Sequence, residues 1–552
     1  MTTPADDWVL RWAGEVWAES QRRHQGSTPT CASGISPSGP VHLGNLRELM
    51  TPHLVADQVR RDGHPSRHIL SWDDYDRFRK VPGGYPAEFA EHIGRPLTSV
   101  PDPCGNHPNW AEHFKEPLRE SLARLGVRVV EISQTQMYTS GAYLESIITA
   151  MRRRKDIAAV LGKYQTKKNA EPDDDEDVDR TAAYYPFKPY CAACGRDTTT
   201  VTAFDDETTD ITYTCACGAL VGPVPISEVA GKLVWKVDWP MRWAYEAVTL
   251  EPAGVDHSSP GSSFTVGGEL VAEIFGGQMP LHFGYSFVGA KGGSSKMSSS
   301  AGGAPTPADA LKIFEAPLVR WLYARRRPEQ SFNIAFDEEV GRIYDEWDAL
   351  TRKVLEGKAD LPAATIYERS AGTAEGLLPV TPRPLPFRTL ASIADITAGD
   401  ESQIFRILRD VTPDDPITTL DEARPRLDRA EAWALEYVAP QDRTRVRTEP
   451  DSARLGVLSE QERHALKLLV EGMVSNWSLE GLTTLLYGIP KLQRGLPISS
   501  PPTDELKAAQ RTWFILLYQL LIGKDTGPRL PTLLLALGQE RLRALLTPAA
   551  AG

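Results

Sequence analysis

Residues 28–59 constrain the fold most: a β-rich run, Thr28 to Ile35, passes through Ser36-Pro37-Ser38-Gly39-Pro40-Val41-His42 into a helical stretch. Leu43, Leu46, Leu49, Leu54, Val55 and Val59 follow at spacings that suit one helical face. A strand that runs into a helix N-terminus presents unpaired N–H groups and the positive helix end to phosphate. Gly39 and Gly44 would let a ligand approach that backbone closely. Further elements are predicted at Arg67 to Trp72 (strand), Trp110 to Leu125 (helix, stopped by Gly126) and Val127 to Ile132 (strand). This alternation over residues 28–135 predicts an α/β fold with a doubly wound, Rossmann-like parallel sheet. An amphipathic helix over residues 6–23, with Trp8, Trp12, Val16 and Trp17 on one stripe, precedes it as core packing.

A second segment suits a polyanion for a different reason. Gly292-Gly293-Ser294-Ser295-Lys296-Met297-Ser298-Ser299-Ser300 is a glycine–serine loop with one lysine, delivered by a strand predicted over His282 to Ala290. Such a loop can fold over a triphosphate and bring Lys296 to the leaving pyrophosphate, and it can equally be a linker. His42 has two readings as well, a helix cap or a group that reaches a phosphate oxygen. Asp73, Asp74 and Asp76 follow the second strand, at the edge where open α/β sheets hold ligands, although acids beside Arg77, Arg79 and Lys80 also suit a surface ion-pair web.

At 552 residues the chain is too long for one core, and about three to four domains are expected. No apolar stretch reaches the roughly 20 residues that cross a bilayer, and the N-terminus does not read as a signal peptide. Six cysteines do not make a disulfide scaffold at this length and fit a reducing cytoplasm. A net charge of −12 argues against a protein that coats nucleic acid nonspecifically. Basic residues nevertheless cluster at Arg152 to Lys155 with Lys163, Lys167 and Lys168, and again at Arg325 to Arg327. Each block is either a phosphate contact or a solvated face.

Cys191 and Cys194, then Cys215 and Cys217, sit in glycine-ended turns joined by a β-rich hairpin, the pattern of a closed, structural tetrahedral zinc ribbon. Free thiols or a redox pair are the alternatives. Cys31 and Cys104 have no such partners and are expected to be buried thiols. Residues 141–161 predict one long arginine-rich helix. Trp235, Trp239 and Trp243 are expected as core or pocket wall, and the chain from Pro307 onward reads as largely helical.

His42-Leu43-Gly44-Asn45 and Lys296-Met297-Ser298-Ser299 resemble the two signatures of class I aminoacyl-tRNA synthetases. Ser71 to Pro82, Trp235 to Trp243, the cysteine ribbon, Arg320 to Asp348 and Asp525 to Pro531 narrow the resemblance to class I lysyl-tRNA synthetases of the archaeal type, bacterial branch, over nearly the whole chain. It implies a HUP-type catalytic domain split into residues 1–140 and 233–306, an insertion with the ribbon at 141–232, a helical stem-contact domain at 307–380 and an all-α anticodon-binding domain at 381–552. It implies ATP with Mg2+, structural Zn2+, L-lysine and tRNA(Lys), in a cytoplasmic monomer.

In that picture His42, Asn45 and Lys296 are catalytic. Pro37, Ser38, Gly39, Gly44, Met297, Ser298 and Ser299 join them around ATP. Gly34, Ser36, Trp235, Asp256, His257 and Tyr285 line the amino-acid pocket, with Asp73, Asp74 and Glu269 as candidate ammonium partners. Val255 stands where the family usually has lysine, and Gly261-Ser262-Ser263-Phe264-Thr265 stands where it usually reads Gly-Gly-Ser-Tyr-Asp. This departure leaves open a paralogue with an altered lysine-analogue pocket. Two other readings are a non-catalytic tRNA- or partner-binding protein and a ligase that hands its acyl group to something other than tRNA.

Overall fold

The computed structural model describes residues 7–164, 184–255, 263–290, 303–411 and 413–547. They form two compact units. One comprises the chain to Leu311 with Ala316–Ile334 and Lys353–Leu378; the other comprises Lys312–Glu315, Ala335–Arg352 and the chain from Pro379. No described helix is long and apolar enough to cross a membrane.

The first unit opens with α1 (Trp8–Arg23), whose N-cap Asp7 accepts the backbone N–H groups of Val9 and Leu10. Then come β1 (Thr30–Ile35), α2 (Leu43–Arg61), β2 (Arg67–Trp72), α3 (Trp110–Arg124) and β3 (Val130–Ser133). The six apolar residues expected on one face of α2 are all buried, and so are Met50, His53 and Ala56. Covered on nearly every side, α2 is a core helix and not a surface one.

After β3 the chain forms α4 (Gln134–Thr139), α5 (Leu144–Arg152) and α6 (Arg154–Tyr164). The single helix expected at 141–161 is thus interrupted at Arg153. The Met151 carbonyl freed near the break accepts the Arg154 guanidinium at 2.7 Å, which stabilises the interruption. A ribbon follows: β4 (Phe187–Pro189) pairs antiparallel with β8 (Gly231–Leu233), and β5 (Thr199–Phe204), β6 (Asp210–Cys215) and β7 (Leu220–Pro225) form an antiparallel sheet between them. The chain re-enters the first unit's core through α7 (Trp235–Tyr245) and β9 (Val248–Leu250).

The main sheet is parallel in the order β3-β2-β1-β9. Consecutive strands step outward from β1 to β3, and β9 then docks on the opposite side of β1. The reversal opens a crevice beyond the C-terminal ends of β1 and β9, where open α/β sheets bind ligands. The strand expected over 282–290 divides in two. β11 (Gly284–Tyr285) pairs with β10 (Ala253–Gly254), and β12 (Val288–Ala290) pairs with Phe332–Ile334. The switch falls at Ser286, whose N–H and hydroxyl donate to the carbonyls of Pro328 and Glu329.

The second unit is helical, as expected for the C-terminal half. Phe387–Thr397, Glu401–Val411, Leu479–Leu492 and Leu530–Leu537 bury leucines and isoleucines. Its buried Arg426 pairs with Glu315 at 2.9 Å and Asp348 at 2.8 Å.

Asp74, fully buried, ties the ends of β2, β3 and α3 together. Its carboxylate accepts Lys115 Nζ at 2.6 Å, Ser133 Oγ at 2.6 Å and Thr135 N at 2.7 Å. Removing the cation paired with such a buried carboxylate strands its charge, so Lys115→Met is expected to destabilise the first unit by about 3–5 kcal/mol. The measurement is thermal and urea unfolding followed by tryptophan fluorescence. A change near zero would show that Asp74 does not depend on Lys115.

Candidate active site

The crevice contains a cavity of about 330 Å3 lined by the end of β1, the start of α2, the end of β2, α7, the segment after β9 and β11–β12. The sequence explains the side formed by the start of α2. His42 is the N-cap of α2: its Nδ1 accepts the backbone N–H of Asn45 at 3.2 Å, and Asn45 Oδ1 accepts the backbone N–H of His42 at 3.2 Å. His42 is therefore both cap and cavity wall. Burial holds its imidazole down at about 4, so it is neutral near pH 7; with Nδ1 accepting, the proton resides on Nε2, a hydrogen-bond donor. Gly44 is required by this ring, because a Cβ there would lie 2.9 Å from His42 Cε1 and Nδ1.

The other side is acidic and aromatic. Glu48, Asp73 and Glu251 line it together with Trp235, Trp239 and Tyr285. Tyr285 donates its hydroxyl to Glu48. Asp73 accepts Arg242 Nη1 at 2.7 Å, and Arg242 also pairs with the buried Asp238. Burial pushes the Asp73 carboxyl up, against the pull of Arg242. Trp235 and Trp239 stack at 5.0 Å with their planes 18° apart.

Of the residues singled out in the sequence, the structure gathers Gly34, His42, Gly44, Asn45, Asp73, Trp235 and Tyr285 around this one cavity. Pro37, Ser38 and Gly39 form the turn between β1 and α2, off the lining; the Ser38 carbonyl accepts the Trp110 indole N–H at 3.2 Å. Ser36 is exposed. Two candidate ammonium partners are corrected. Asp74 is occupied by Lys115, Ser133 and Thr135, and Glu269, on α8 (Ser263–Glu273), pairs with Lys163 and Tyr164 away from the cavity. Asp256, His257, Gly261, Ser262, Lys296, Met297, Ser298 and Ser299 lie outside the described residues, as do Lys167 and Lys168.

Asp73 and Asp74 do not belong to a surface web, since both are buried and their partners come from other elements. Glu48 and Glu251 were not named as site residues from the sequence, and Trp239 was expected as core or pocket wall. Glu48 follows Asn45 by one helical turn and Glu251 directly follows β9, and both signals are legible only once the sheet order is known.

Among the described residues, two clusters can hold a metal. The Cys191, Cys194, Cys215 and Cys217 sulfurs lie within 4.8 Å of one another, with 3.8 Å between Cys191 and Cys217 and 3.7 Å between Cys194 and Cys215. Four sulfurs at the usual Zn–S distance on a tetrahedron are about 3.8 Å apart, so the set fits zinc. The Ala193 N–H to Cys191 and the Thr198 hydroxyl to Cys215 supply outer hydrogen bonds to sulfur. Cys31 is a buried thiol, as expected, but Cys104 is exposed. Its sulfur stands 3.2 Å from Asp102 Oδ2, 3.3 Å from His107 Nδ1 and 3.4 Å from His113 Nδ1, a second four-ligand cluster. The sequence reading passed over it because Cys104 has no second cysteine nearby.

Residues 6–373 match the family model for tRNA synthetases class I (K). The chain belongs to this family of class I tRNA synthetases. It is 57% identical to a lysine–tRNA ligase of Streptomyces coelicolor over 575 residues, covering 99% of both chains. It is 34% identical to one of Thermococcus kodakarensis (96% of this chain, 98% of the relative) and 33% identical to one of Treponema pallidum (98% of each). The similarity runs over nearly the whole length of this chain and of each of these relatives.

Gly44→Ala is expected to displace the His42 ring and raise the KM for ATP at least tenfold with the fold intact. Steady-state kinetics alongside circular dichroism measure this, and an unchanged KM would mean that the ring does not reach the nucleotide.

Proposed function

We propose that the chain is a lysine–tRNA ligase: it activates L-lysine with ATP to lysyl-adenylate and pyrophosphate, then transfers the lysyl group to the terminal ribose of tRNA(Lys). The observation that carries this reading is the single cavity in which the capped start of α2 meets a wall of carboxylates and tryptophans. A polyanion fits the first side and an amino acid bearing a second ammonium fits the other. The lysine–tRNA ligases that align end to end with this chain support the same assignment.

In this reaction the lysine carboxylate attacks the α-phosphorus and pyrophosphate leaves, so the enzyme's task is positioning and charge stabilisation. The neutral His42 donates from Nε2 to a phosphate oxygen. The positive end of α2 adds its dipole, and Asn45 holds both the cap and the ring in place. Lys296 neutralises charge on the leaving pyrophosphate, Ser298 and Ser299 help its loop close, and Mg2+ bound with ATP would share that charge. Zn2+ in the four-cysteine cluster is structural, since four thiolates close its coordination. The helical second unit reads the tRNA, and the enzyme works as a cytoplasmic monomer.

The departures from the family pattern do not disturb this chemistry. Phe264 is buried, stacks on His282 at 3.7 Å and packs edge-on against Trp239, so its ring joins the apolar wall. Val255 and Thr265 are exposed. Retained lysine specificity is the reading these contacts favour.

The test is lysine-dependent exchange of labelled pyrophosphate into ATP, run with a panel of amino acids and with tRNA present. Exchange with lysine alone is expected, reduced about 100- to 1000-fold in His42→Ala and in Lys296→Ala. Tight tRNA binding without exchange for any amino acid would overturn the assignment. Elemental analysis of protein purified without added metal is expected to find about one zinc ion per chain bound at the cysteine ribbon and lost in Cys215→Ser. A value near zero with four titratable thiols would remove the ribbon assignment.

A further inference from the structure

The three carboxylates on the cavity wall are not equivalent. Asp73 already carries the Arg242 guanidinium, and Glu48 receives the Tyr285 hydroxyl. Glu251 is held differently: Oε1 accepts the Trp239 indole N–H at 2.9 Å and Oε2 accepts the Trp243 indole N–H at 2.6 Å. Both donors are neutral, and among the described residues no lysine or arginine forms an ion pair with Glu251.

Its main chain is fixed as well. The Glu251 N–H donates to the Leu281 carbonyl and the Glu251 carbonyl accepts His282 Nδ1 at 2.9 Å. The side chain is 7% exposed, and burial pushes its carboxyl up to about 7 against the pull of the two indoles and of Arg242. A carboxylate has about four acceptor positions, and the indoles use two. What remains is a buried carboxyl acceptor that no described lysine or arginine pairs with, opening onto a cavity whose adjoining wall is the stacked pair Trp235 and Trp239. Indole faces attract a cation and cover a methylene stem, while the carboxylate supplies the charge that a desolvated ammonium requires.

We infer that Glu251 is the specificity-determining acceptor for the side-chain ammonium of the amino-acid substrate, with Trp235 and Trp239 packed along its aliphatic stem. The assignment rests on the proposed lysine chemistry and names the residue that selects for it. Trp243 touches the substrate only through Glu251 and is a positioning residue, because its indole N–H aims the carboxylate into the cavity.

The experiment compares full-length wild type and Glu251→Gln in pyrophosphate exchange, with lysine and with norleucine, which has the same length without the ammonium. In E251Q the KM for lysine is expected to rise about 10- to 100-fold, the range of a charge-assisted hydrogen bond. The preference for lysine over norleucine is expected to narrow by a similar factor while the KM for ATP stays the same. If E251Q lowers exchange with both amino acids equally, or leaves the preference unchanged, Glu251 only braces the tryptophans and the assignment fails. Should E251Q not fold, Glu251→Asp keeps the charge and retracts it by one methylene. It is expected to shift preference toward homolysine, and an unshifted preference would overturn the assignment. Wild-type exchange with lysine is the reference: its absence for every amino acid removes the lysine-ligase reading and this inference with it, whereas its presence with an unaltered preference in the variants removes this inference alone.

Discussion

Everything at the cavity depends on β1 having parallel neighbours on both sides that the chain reaches in opposite directions. In chain order β2 and β3 step outward from β1, and β9 joins its other flank after the chain has passed through the ribbon and α7. A parallel strand between two such neighbours leaves its C-terminal end uncovered, and the helix that follows points its N-terminus there. The cavity is therefore a product of topology before any side chain is considered. Side chains then divide it: α2 contributes a histidine, a glycine and an asparagine, and α7 with the segment after β9 contributes indoles and carboxylates.

Beneath the acidic side lies a group of buried charges. Asp73 and Asp238 share Arg242, Asp238 also receives the Tyr138 hydroxyl, and Lys232 from β8 reaches Asp76. Burial alone would raise the Asp238 carboxyl, but Arg242 and Lys232 bring it below the ordinary carboxylate range. Buried ions of this kind contribute little net stability, because desolvation offsets most of their attraction. Their effect is geometric. Each charge is satisfied only when α7, the end of β2 and the strand leaving the ribbon are in register, so the ribbon is joined to the cavity floor by electrostatics as well as by the chain.

Much of this was legible in the sequence. The alternation of elements, the capped turn at His42, the cysteine pairs and the helical C-terminal half all follow from local periodicity and spacing, and local rules reach that far. The ammonium partners were harder. Asp74 and Asp73 are adjacent in sequence and look interchangeable, yet one faces Lys115 and the other the cavity, a difference set by Lys115 forty-one residues away. Glu251 resembled any turn acid until the tryptophans of α7 folded over it. The break between α5 and α6 and the change of partner at Ser286 are likewise tertiary, made by carbonyls and strands that a linear reading does not place nearby.

The cap of α2 separates two requirements that coincide in one side chain. What the helix asks of position 42 is an acceptor for the Asn45 N–H, which serine, threonine or aspartate would also provide. What a phosphate asks of it is the imidazole's remaining proton. A descendant of this chain that exchanged the ring for another cap would keep its architecture while its chemistry lapsed. Serine and threonine lie two nucleotide changes from a histidine codon, but aspartate lies one away and caps equally well, so a single substitution of that kind would suffice to turn an enzyme lineage toward a scaffold role.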